Sequence, residues 1–394
     1  MKDFWAEELQ NRKKNRILKI IVLVILLLLV IAIGISIFEY YKNLNFRQWC
    51  DSNILKKEIK QENTKSIELD GDENTKVYAY EKYICVFRKK NLEFYNKVGS
   101  LAEKMELDIN EAVFSTAGRY MAVCEENGQK FYLICGKEKI YEGEIEGNIS
   151  QIKVSRSGYI ALVLSNTSYK SIVDVFDKTG KEIFKTNLVS SRVVDISMSQ
   201  DSKFMAIAEI DLSGILIQSK VQIVSIELAQ TKPNEAILYK YEAPKDKLIM
   251  NIEYHEQNKL ICMYNDGVEC LQENTSTELS KFDEKQLAFI SIELNNSITY
   301  IEEISSGGYT ADTNIEIINT TTSKEKKYIT KNVAKAIETS DNKIAINFGT
   351  ELHIINKDGI LIKKYISDTE INNIVMTDGL VGIIYKDKIQ IINI

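Results

Sequence analysis

Few residues in the sequence have the types and spacing that catalysis or metal binding requires. The two histidines, His255 and His353, are far apart in the chain, and we expect one in a turn and the other on a strand, as solvated or packed side chains. Asp70 and Asp72, in the phrase ELDGDEN, have the charge to attract a cation but lack the ligand spacing of a calcium loop. No G-x-S-x-G, G-x-x-x-x-G-K-[ST], H-E-x-x-H or C-x-x-C motif occurs. The sequence therefore predicts no catalytic, cofactor-binding or metal-binding residue.

The six cysteines are widely spaced. Cys262 and Cys270 would face each other, in position for a disulfide, if residues 265–267 made a three-residue turn. The alternative, which we favour, is that Cys85 and Cys262 are packed core thiols. Cys50, which lies upstream of the predicted strands, is a candidate for crosslinking two chains.

One segment is apolar enough to span a membrane. The 19 residues from Ile20 to Phe38 carry no charge, and at ~1.5 Å per residue a helix of this length nearly matches a ~30 Å hydrocarbon layer. A cleaved secretory signal has a shorter apolar region of ~7 to 15 residues and a small-residue cleavage site. The end of the segment and the residues after it, SIFEYYKN, offer no such site. We therefore expect an uncleaved transmembrane helix over residues 17–38.

Basic residues flank this segment unequally. Five Lys and Arg residues lie at positions 12–19, whereas only Lys42 and Arg47 follow the helix closely. Because Lys and Arg are retained on the cytoplasmic side, residues 1–16 are predicted to form a cytoplasmic tail, with the rest of the protein outside the cell membrane.

Six of the 50 Lys and Arg residues and three of the 56 Asp and Glu residues precede Phe38, which leaves a net charge of about −9 beyond it. Nucleic acid and anionic lipid headgroups are therefore not expected as partners of the outer part.

Residues 39–64 contain neither Pro nor Gly and are predicted to form a helical stalk. Their apolar residues are spaced too irregularly for sustained heptads. We therefore favour a spacer that continues the membrane helix over a dimerising seam, and Trp49 and Cys50 are the residues that keep the second alternative open.

The rest of the chain, from about residue 66 to 394, consists of short apolar runs separated by turns, which is typical of an all-β domain. Eight turn-and-strand phrases recur, and they read EKYICVF, AGRYMAV, RSGYIALV, DSKFMAIA, QNKLICMY, NNSITYIE, DNKIAINF and DGLVGIIY. Their mean spacing is near 42 residues, which matches the ~40 to 45 residues of a four-stranded propeller blade. We predict a β-propeller over residues 65–394 with eight blades, or seven if the unit around Ile298 merges with a neighbour.

Two further patterns support a propeller. The hairpins LEFYNKVGSLAEKM, VDVFDKTGKEIFKT and LHIINKDGILIKKY each place Gly three positions after an Asn or Asp, as a tight turn with positive φ between third and fourth strands requires. The third residue of the indexed strand is small in seven of the eight units, which would allow neighbouring blades to approach closely. These residues are Cys85, Ala122, Ala161, Ala206, Cys262, Tyr300, Ala345 and Gly382.

The two ends of the repeat array complement each other. After the unit of Leu380 only one strand remains, KIQIINI, so the last blade lacks a strand. At the other end, KSIEL at residues 65–69 is an extra strand before the first blade. We expect these two segments to pair and close the ring, because an open propeller would leave an unpaired edge.

With these phrases the chain resembles the WD-type, quinoprotein-like β-propellers. Within them it resembles an uncharacterised family of bacterial single-pass membrane proteins with one N-terminal anchor and a propeller-like domain of unknown function. The resemblance covers roughly residues 66–394 and rests on phrases of the form S-x-[DGS]-[GSN]-x-[YF]. It implies an architecture rather than an activity. The absence of WD and GH dipeptides argues against a WD repeat of the eukaryotic type, and the absence of Trp after Trp49 argues against Trp-docked quinone enzymes, so no cofactor is expected.

Two insertions interrupt the repeat and are candidates for binding. One contains Pro233 and Pro244, and the other, SSGGYTADT, contains Gly307 and Gly308; tolerated surface elaboration is the alternative that we favour for both. We expect a membrane-anchored extracytoplasmic interaction or scaffold module at the cell envelope, with an envelope protein or polymer as its partner. A sensor that binds a small ligand in the central channel is the second hypothesis, and an extracytoplasmic enzyme is the third.

Overall fold

The computed structural model of the chain describes residues 2–42, 44–59, 65–71, 74–165, 168–245, 247–273, 275–282, 287–305, 311–340, 342–377 and 379–394. The chain divides into two compact units between Glu58 and Ile59, and each is described by itself. Two of the features discussed above, Asp72 and the pair Gly307 and Gly308, lie outside the described residues.

The first unit consists of two helices, α1 (Lys2–Lys42) and α2 (Leu44–Asn53). Within residues Leu18–Lys42 of α1, an 18-residue window has a mean hydropathy of 3.5 and is not buried, so the length and composition of this segment suit a membrane anchor or a signal sequence. In the predicted helical stalk, the described residues include the end of α1 and the helix α2, and these two helices contact each other.

The second unit is an eight-bladed β-propeller. Each blade contains four antiparallel strands whose order in space follows their order in the chain, apart from the last blade, and the sheet of the seventh blade has a fifth strand. Two short strands, β1 (Glu58–Ile59) and β2 (Ile67–Glu68), precede the blades.

The strands of blades one to four have the following bounds. They are β3 (Lys76–Tyr80), β4 (Tyr83–Arg88), β5 (Asn91–Tyr95) and β6 (Leu101–Glu106); β7 (Ala112–Ala117), β8 (Tyr120–Glu125), β9 (Lys130–Cys135) and β10 (Glu138–Glu144); β11 (Asn148–Val154), β12 (Ile160–Ser165), β13 (Ser171–Phe176) and β14 (Glu182–Leu188); and β15 (Ser191–Met198), β16 (Phe204–Asp211), β17 (Gln218–Ser225) and β18 (Ile237–Glu242).

Blades five to eight continue the series. Their strands are β19 (Ile249–Tyr254), β20 (Leu260–Tyr264), β21 (Gly267–Gln272) and β22 (Thr275–Lys281); β23 (Leu287–Ser291), β24 (Ser297–Ser305), β25 (Ala311–Asn319) and β26 (Glu325–Thr330); β27 (Ala336–Ser340), β28 (Lys343–Asn347), β29 (Glu351–Asn356) and β30 (Leu361–Ile366); and β31 (Asn373–Met376), β32 (Leu380–Ile384) and β33 (Lys388–Asn393).

The ring closes as the sequence predicts. Strand β2 pairs antiparallel with β33, with Ile67 opposite Ile389 and Glu68 opposite Lys388, so the fourth strand of the last blade comes from the start of the propeller. The unit around Ile298 forms a blade of its own, β23–β26, which confirms eight blades and excludes the seven-bladed alternative. The hairpin glycines Gly99, Gly180 and Gly359 all have positive φ, at 74°, 85° and 71°.

The recurrent small residues lie between blades, but only six of the eight are equivalent. In blades five and six, Cys262 and Tyr300 pack toward the preceding blade, in the same apolar clusters as Ala206 and Ile261, respectively. Side chains alternate between the two faces of a strand, so a shift of one residue in the indexing exchanges the faces. The six that pack toward the following blade are Cys85, Ala122, Ala161, Ala206, Ala345 and Gly382.

The insertion with the two prolines is largely structured. Helix α3 (Ile226–Thr231) and a 3-10 turn (Pro233–Glu235) connect β17 to β18, and no pattern noted in the sequence predicts this helix. The hydroxyl of Ser225 accepts a hydrogen bond from the backbone amide of Leu228 at 3.3 Å, which caps the helix. Ile226 and Ala229 are buried, so this part of the insertion packs on the core.

An ion pair recurs across the third and fourth strands of three blades. In each case a buried carboxylate on the third strand lies directly opposite a lysine eleven positions later on the fourth. The pairs are Glu93–Lys104, Asp174–Lys185 and Glu316–Lys327. The spacing is a repeat signature that the apolar pattern does not show.

Candidate functional site

The innermost strands of the eight blades surround a central channel. A cavity of about 680 Å³ in this channel is lined by residues from all eight blades. Many of them lie in the turns that connect first to second strands, such as Glu81, Arg156 and Thr377. We therefore call this end of the propeller the channel face.

Charged side chains of both signs line or approach the cavity. The ammonium of Lys153 on β11 lies 3.4 Å from a carboxylate oxygen of Asp195 on β15. The hydroxyl of Ser197 donates a hydrogen bond to the carboxylate of Glu253 on β19 at 3.3 Å. Further charged residues in the lining are Glu81, Arg156 and Glu293.

Enclosure in the channel raises the pKa of two carboxyl groups. Burial raises the pKa of Glu253 to about 7; attraction to Lys153 opposes this shift, and repulsion from Glu293 adds to it. Burial also raises the pKa of Glu338 to about 7, again with repulsion from Glu293. Burial by itself lowers the pKa of Lys153, but the surrounding carboxylates outweigh this effect and raise it. The channel can therefore change its charge near neutral pH, and a bound cation would favour the ionised carboxylates.

The recurrent serines at the channel face serve the turns themselves. The hydroxyl of Ser155 accepts hydrogen bonds from the backbone amides of Ser157 at 3.3 Å and Tyr159 at 3.0 Å. Ser199 accepts from the amide of Phe204 at 2.9 Å in the same way. The S-x-[DGS]-[GSN]-x-[YF] phrases thus describe a turn in which a side chain replaces a backbone partner, and they carry architecture rather than catalysis.

The two histidines belong to different blades, His255 to blade five and His353 to blade seven. His255, at the channel face, is 1% exposed, and its Nε2 lies 2.7 Å from the carbonyl oxygen of Ile292; burial lowers its pKa. His353 is buried on β29, where its Nδ1 lies 2.9 Å from the hydroxyl of Tyr328 and its Nε2 lies 3.2 Å from the carboxylate of Glu351. Both histidines are packed side chains, and neither is exposed to solvent.

The cysteines are all free thiols. Residues Asn265 and Asp266 form a two-residue turn, because Tyr264 pairs directly with Gly267, and the three-residue turn considered above is absent. Cys270 consequently lies opposite Ile261 rather than Cys262. Burial raises the pKa of the Cys262 thiol, as expected for a packed thiol.

Two other candidates are also accounted for by local contacts. Cys50 is only 8% exposed, so it is not positioned to crosslink two chains. Asp70 forms an ion pair with Lys89 at 2.6 Å. Among the residues that the structure describes, no group of His, Cys, Asp and Glu is arranged to hold a metal ion.

An exposed apolar loop is the surface feature that the sequence analysis missed. Residues 212–217 connect β16 to β17 and are all exposed; we call them the apolar loop. Its aliphatic side chains are Leu212, Ile215, Leu216 and Ile217, which are 47%, 104%, 52% and 44% exposed.

The base of the apolar loop is held in place by polar contacts. Asp211 accepts hydrogen bonds from the amide and the hydroxyl of Ser213, at 3.0 and 2.7 Å, and forms an ion pair with Lys220 at 2.9 Å. Because strands alternate in direction, turns between second and third strands lie opposite the channel face, and we call this end the loop face. Val189, which is 70% exposed, lies on a link between blades on the same face. The backbone joins the two segments, since the amide of Leu212 donates to the carbonyl of Ser190 at 3.3 Å.

Eight antiparallel blades around a polar channel, in a chain with an apolar N-terminal helix, define a β-propeller protein. The chain belongs to a family of unknown function, DUF5711, which residues 55–394 match. This agrees with the resemblance found in the sequence. Comparison with curated proteins gives no match.

Several solved structures share the fold. AztD from Citrobacter koseri has a TM-score of 0.52 at 9% identity, over 77% of this chain and 88% of that chain. The dihydro-heme d1 dehydrogenase NirN has a TM-score of 0.51 at 12% identity, over 84% and 73%. BamB from Moraxella catarrhalis has a TM-score of 0.49 at 12% identity, over 84% and 99%. At such identities the likeness to AztD and NirN shows the fold alone.

Proposed function

We propose that the protein is a membrane-anchored, extracytoplasmic interaction module at the cell envelope, and that the apolar loop binds its partner. The observation that carries this proposal is the exposure of four aliphatic side chains within six residues. Burying one such side chain stabilises a complex by roughly 1.5 to 3 kcal/mol. Soluble domains rarely expose contiguous apolar patches without a binding role. The partner is therefore expected to offer an apolar groove, which favours an envelope protein over a polar polymer.

The anchor supports the envelope location. Leu18–Lys42 is long and apolar enough to cross a membrane, and the excess of Lys and Arg before it favours a cytoplasmic N-terminus. The propeller would then lie outside the cytoplasm. Near the start of the propeller, the amide of Lys65 donates to the carbonyl of Val98 at 3.2 Å, in a third-to-fourth-strand turn on the channel face. The apolar loop lies on the opposite face and is not covered by this part of the chain.

Site-specific photo-crosslinking tests the role of the apolar loop. A photoreactive amino acid replaces Ile215 in one variant and Lys178 in a control variant. Lys178 is also exposed but lies in a third-to-fourth-strand turn on the channel face. In living cells we expect one discrete protein adduct from position 215, lost when Leu212 and Leu216 are changed to Ser, and none from position 178. No adduct at position 215, or the same adduct at both positions, would contradict the proposal.

A second candidate function is the binding of a small cationic ligand in the channel. The specific observation is that Glu253, Glu338 and Glu293 lie in or beside the channel cavity, where Lys153 is close enough to attract Glu253 and Glu293. A panel of small primary and quaternary amines should raise the melting temperature of the wild-type propeller, and less so that of Glu253→Gln. Equal shifts in both proteins, or no shift with any amine, would count against this function.

A further inference from the structure

Helix α2 is fastened to the end of the apolar helix α1. The guanidinium of Arg47 donates hydrogen bonds from Nε to the carbonyl oxygen of Tyr40 and from Nη2 to that of Tyr41, both at 3.0 Å. Carbonyl groups in the last turn of a helix have no partner within the helix. Arg47 therefore caps α1 from α2, and the two helices form one structural element.

A buried polar group completes this attachment. The hydroxyl of Tyr40 donates to the carboxylate of Asp51 at 2.7 Å, and Lys57 contacts both, with its ammonium 2.9 Å from the hydroxyl and 2.8 Å from the carboxylate. Asp51 is only 2% exposed. Removing one partner of a buried charge pair is strongly destabilising, so these contacts hold α2 at the end of α1. We call Tyr40, Arg47, Asp51 and Lys57 the clasp.

Large apolar side chains of this unit nevertheless remain exposed next to the clasp. Tyr41, Trp49, Ile54 and Leu55 are 58%, 53%, 60% and 52% exposed. The rings of Phe46 and Trp49 are stacked with centroids 6.1 Å apart. These exposed side chains include both aromatic and aliphatic groups. In the same unit, the apolar side chains of α1 are also exposed from Leu18 onward.

We propose that α2 lies in the headgroup region of the same bilayer that α1 crosses, with Trp49 at the boundary between headgroups and acyl chains. The inference rests on the proposed membrane anchoring. Lipid is the occupant that the observations favour, because the clasp holds α2 at the end of α1, whose apolar segment is exposed throughout. Trp and Tyr prefer this depth of a membrane, and exposed aromatic and aliphatic side chains such as Trp49, Ile54 and Leu55, with cations nearby, suit the interface.

The geometry also explains why so short a helix forms. Isolated helices of fewer than ~12 residues are marginal in water, and α2 has 10 residues. The clasp and the membrane interface would together supply the contacts that its length does not. A second copy of the chain is the competing occupant, and the test below distinguishes it from lipid.

The two tryptophans of the chain allow a direct test. Trp5 lies at the other end of α1, so Trp5→Phe leaves Trp49 as the sole tryptophan. The full-length variant is reconstituted into phosphatidylcholine vesicles carrying bromine either near the headgroup or near the end of the acyl chain. We expect Trp49 fluorescence to be quenched strongly by the shallow bromines and weakly by the deep ones, with little quenching by iodide in the water.

Each other outcome overturns the inference. Strong quenching by iodide alone would place Trp49 in water, and protection from both bromine and iodide would indicate a second copy of the chain. Flotation of the vesicles is measured first, because protein that does not float with lipid refutes the membrane anchoring itself rather than the position of α2.

A matched variant tests the clasp. Asp51→Asn in the Trp5→Phe background removes the charge that Lys57 and Tyr40 share but keeps every apolar side chain. Loss of shallow quenching with normal flotation is expected, because α2 is then no longer held at the end of α1. Unchanged quenching would show that the clasp does not position Trp49. The β-sheet circular dichroism of the propeller serves as the control for folding.

Discussion

Replacing Ile67 with alanine tests how the propeller ring closes. Ile67 is 3% exposed in β2, the two-residue strand that completes the last blade. The backbone around it is also fixed, since the amide of Leu69 donates to the carbonyl of Asp387 at 2.8 Å and Arg88 donates to the carbonyl of Glu68 at 2.8 Å. The segment therefore joins the last blade to the first.

The size of the effect follows from this packing. Ile67 shares one apolar cluster with Ile84 and Val86 of the first blade and with Ile389 and Ile391 of the last. Truncating a buried Ile to Ala costs about 2 to 5 kcal/mol. We expect the lower part of this range, because β2 is an outermost strand whose surroundings can relax into the space. The loss should appear as reduced free energy of unfolding for the propeller, residues 59–394.

Urea unfolding followed by far-ultraviolet circular dichroism measures this loss, since the propeller contains no tryptophan. Ile215→Ala is the matched control, because Ile215 is fully exposed in the apolar loop and such substitutions usually stay within about 0.5 kcal/mol. If the two variants lose the same stability, β2 does not contribute to ring closure and the reasoning is refuted.

Two other predictions concern the core and the channel. Ala161→Leu adds three carbons between blades three and four, where Ala161 is fully buried, and should cost about 1 to 3 kcal/mol through overpacking; an unchanged urea midpoint would contradict close blade stacking at this site. The pKa of Glu253 is raised to about 7 in the folded state from an ordinary value near 4.5, so between these values the folded protein binds more protons than the unfolded chain, and stability falls as the pH rises. Glu253→Gln should therefore reduce the loss of stability between pH 4.5 and 7, and the variant should be more stable than wild type at pH 8. Identical profiles of stability against pH would contradict a raised pKa for Glu253.

The blade number was predictable because the second strands are buried on both faces. Strands such as YICVFR and IALVLS are almost continuously apolar, and they can be counted in the sequence. The first strands are less visible, because they line a polar channel; SRVVDISM is an example. The shifted indexing at Cys262 and Tyr300 has the same cause, since a strand apolar on both faces does not reveal which residue faces which blade.

The candidate sites were less accessible from the sequence for physical reasons. Lys153, Asp195, Glu253 and Glu338 belong to four different blades, so no local motif contains them. In the apolar loop, the run GILI stands directly before Gln218, the first residue of β17, and is indistinguishable from part of a strand by composition. The clasp depends on Arg47 returning to Tyr40 and Tyr41, a tertiary contact that no spacing rule predicts.

Labelling of a single introduced cysteine tests the central claim, that the propeller is anchored in the membrane and lies outside the cytoplasm. Val189→Cys places a thiol at a position that is 70% exposed, whereas five of the six native cysteines are buried and only Cys135 is partly exposed. Intact spheroplasts of this variant and of wild type are treated with a membrane-impermeant maleimide, before and after permeabilisation. The account predicts labelling above the wild-type level in intact spheroplasts that permeabilisation does not increase. Labelling that appears only after permeabilisation would place the propeller in the cytoplasm and contradict the account.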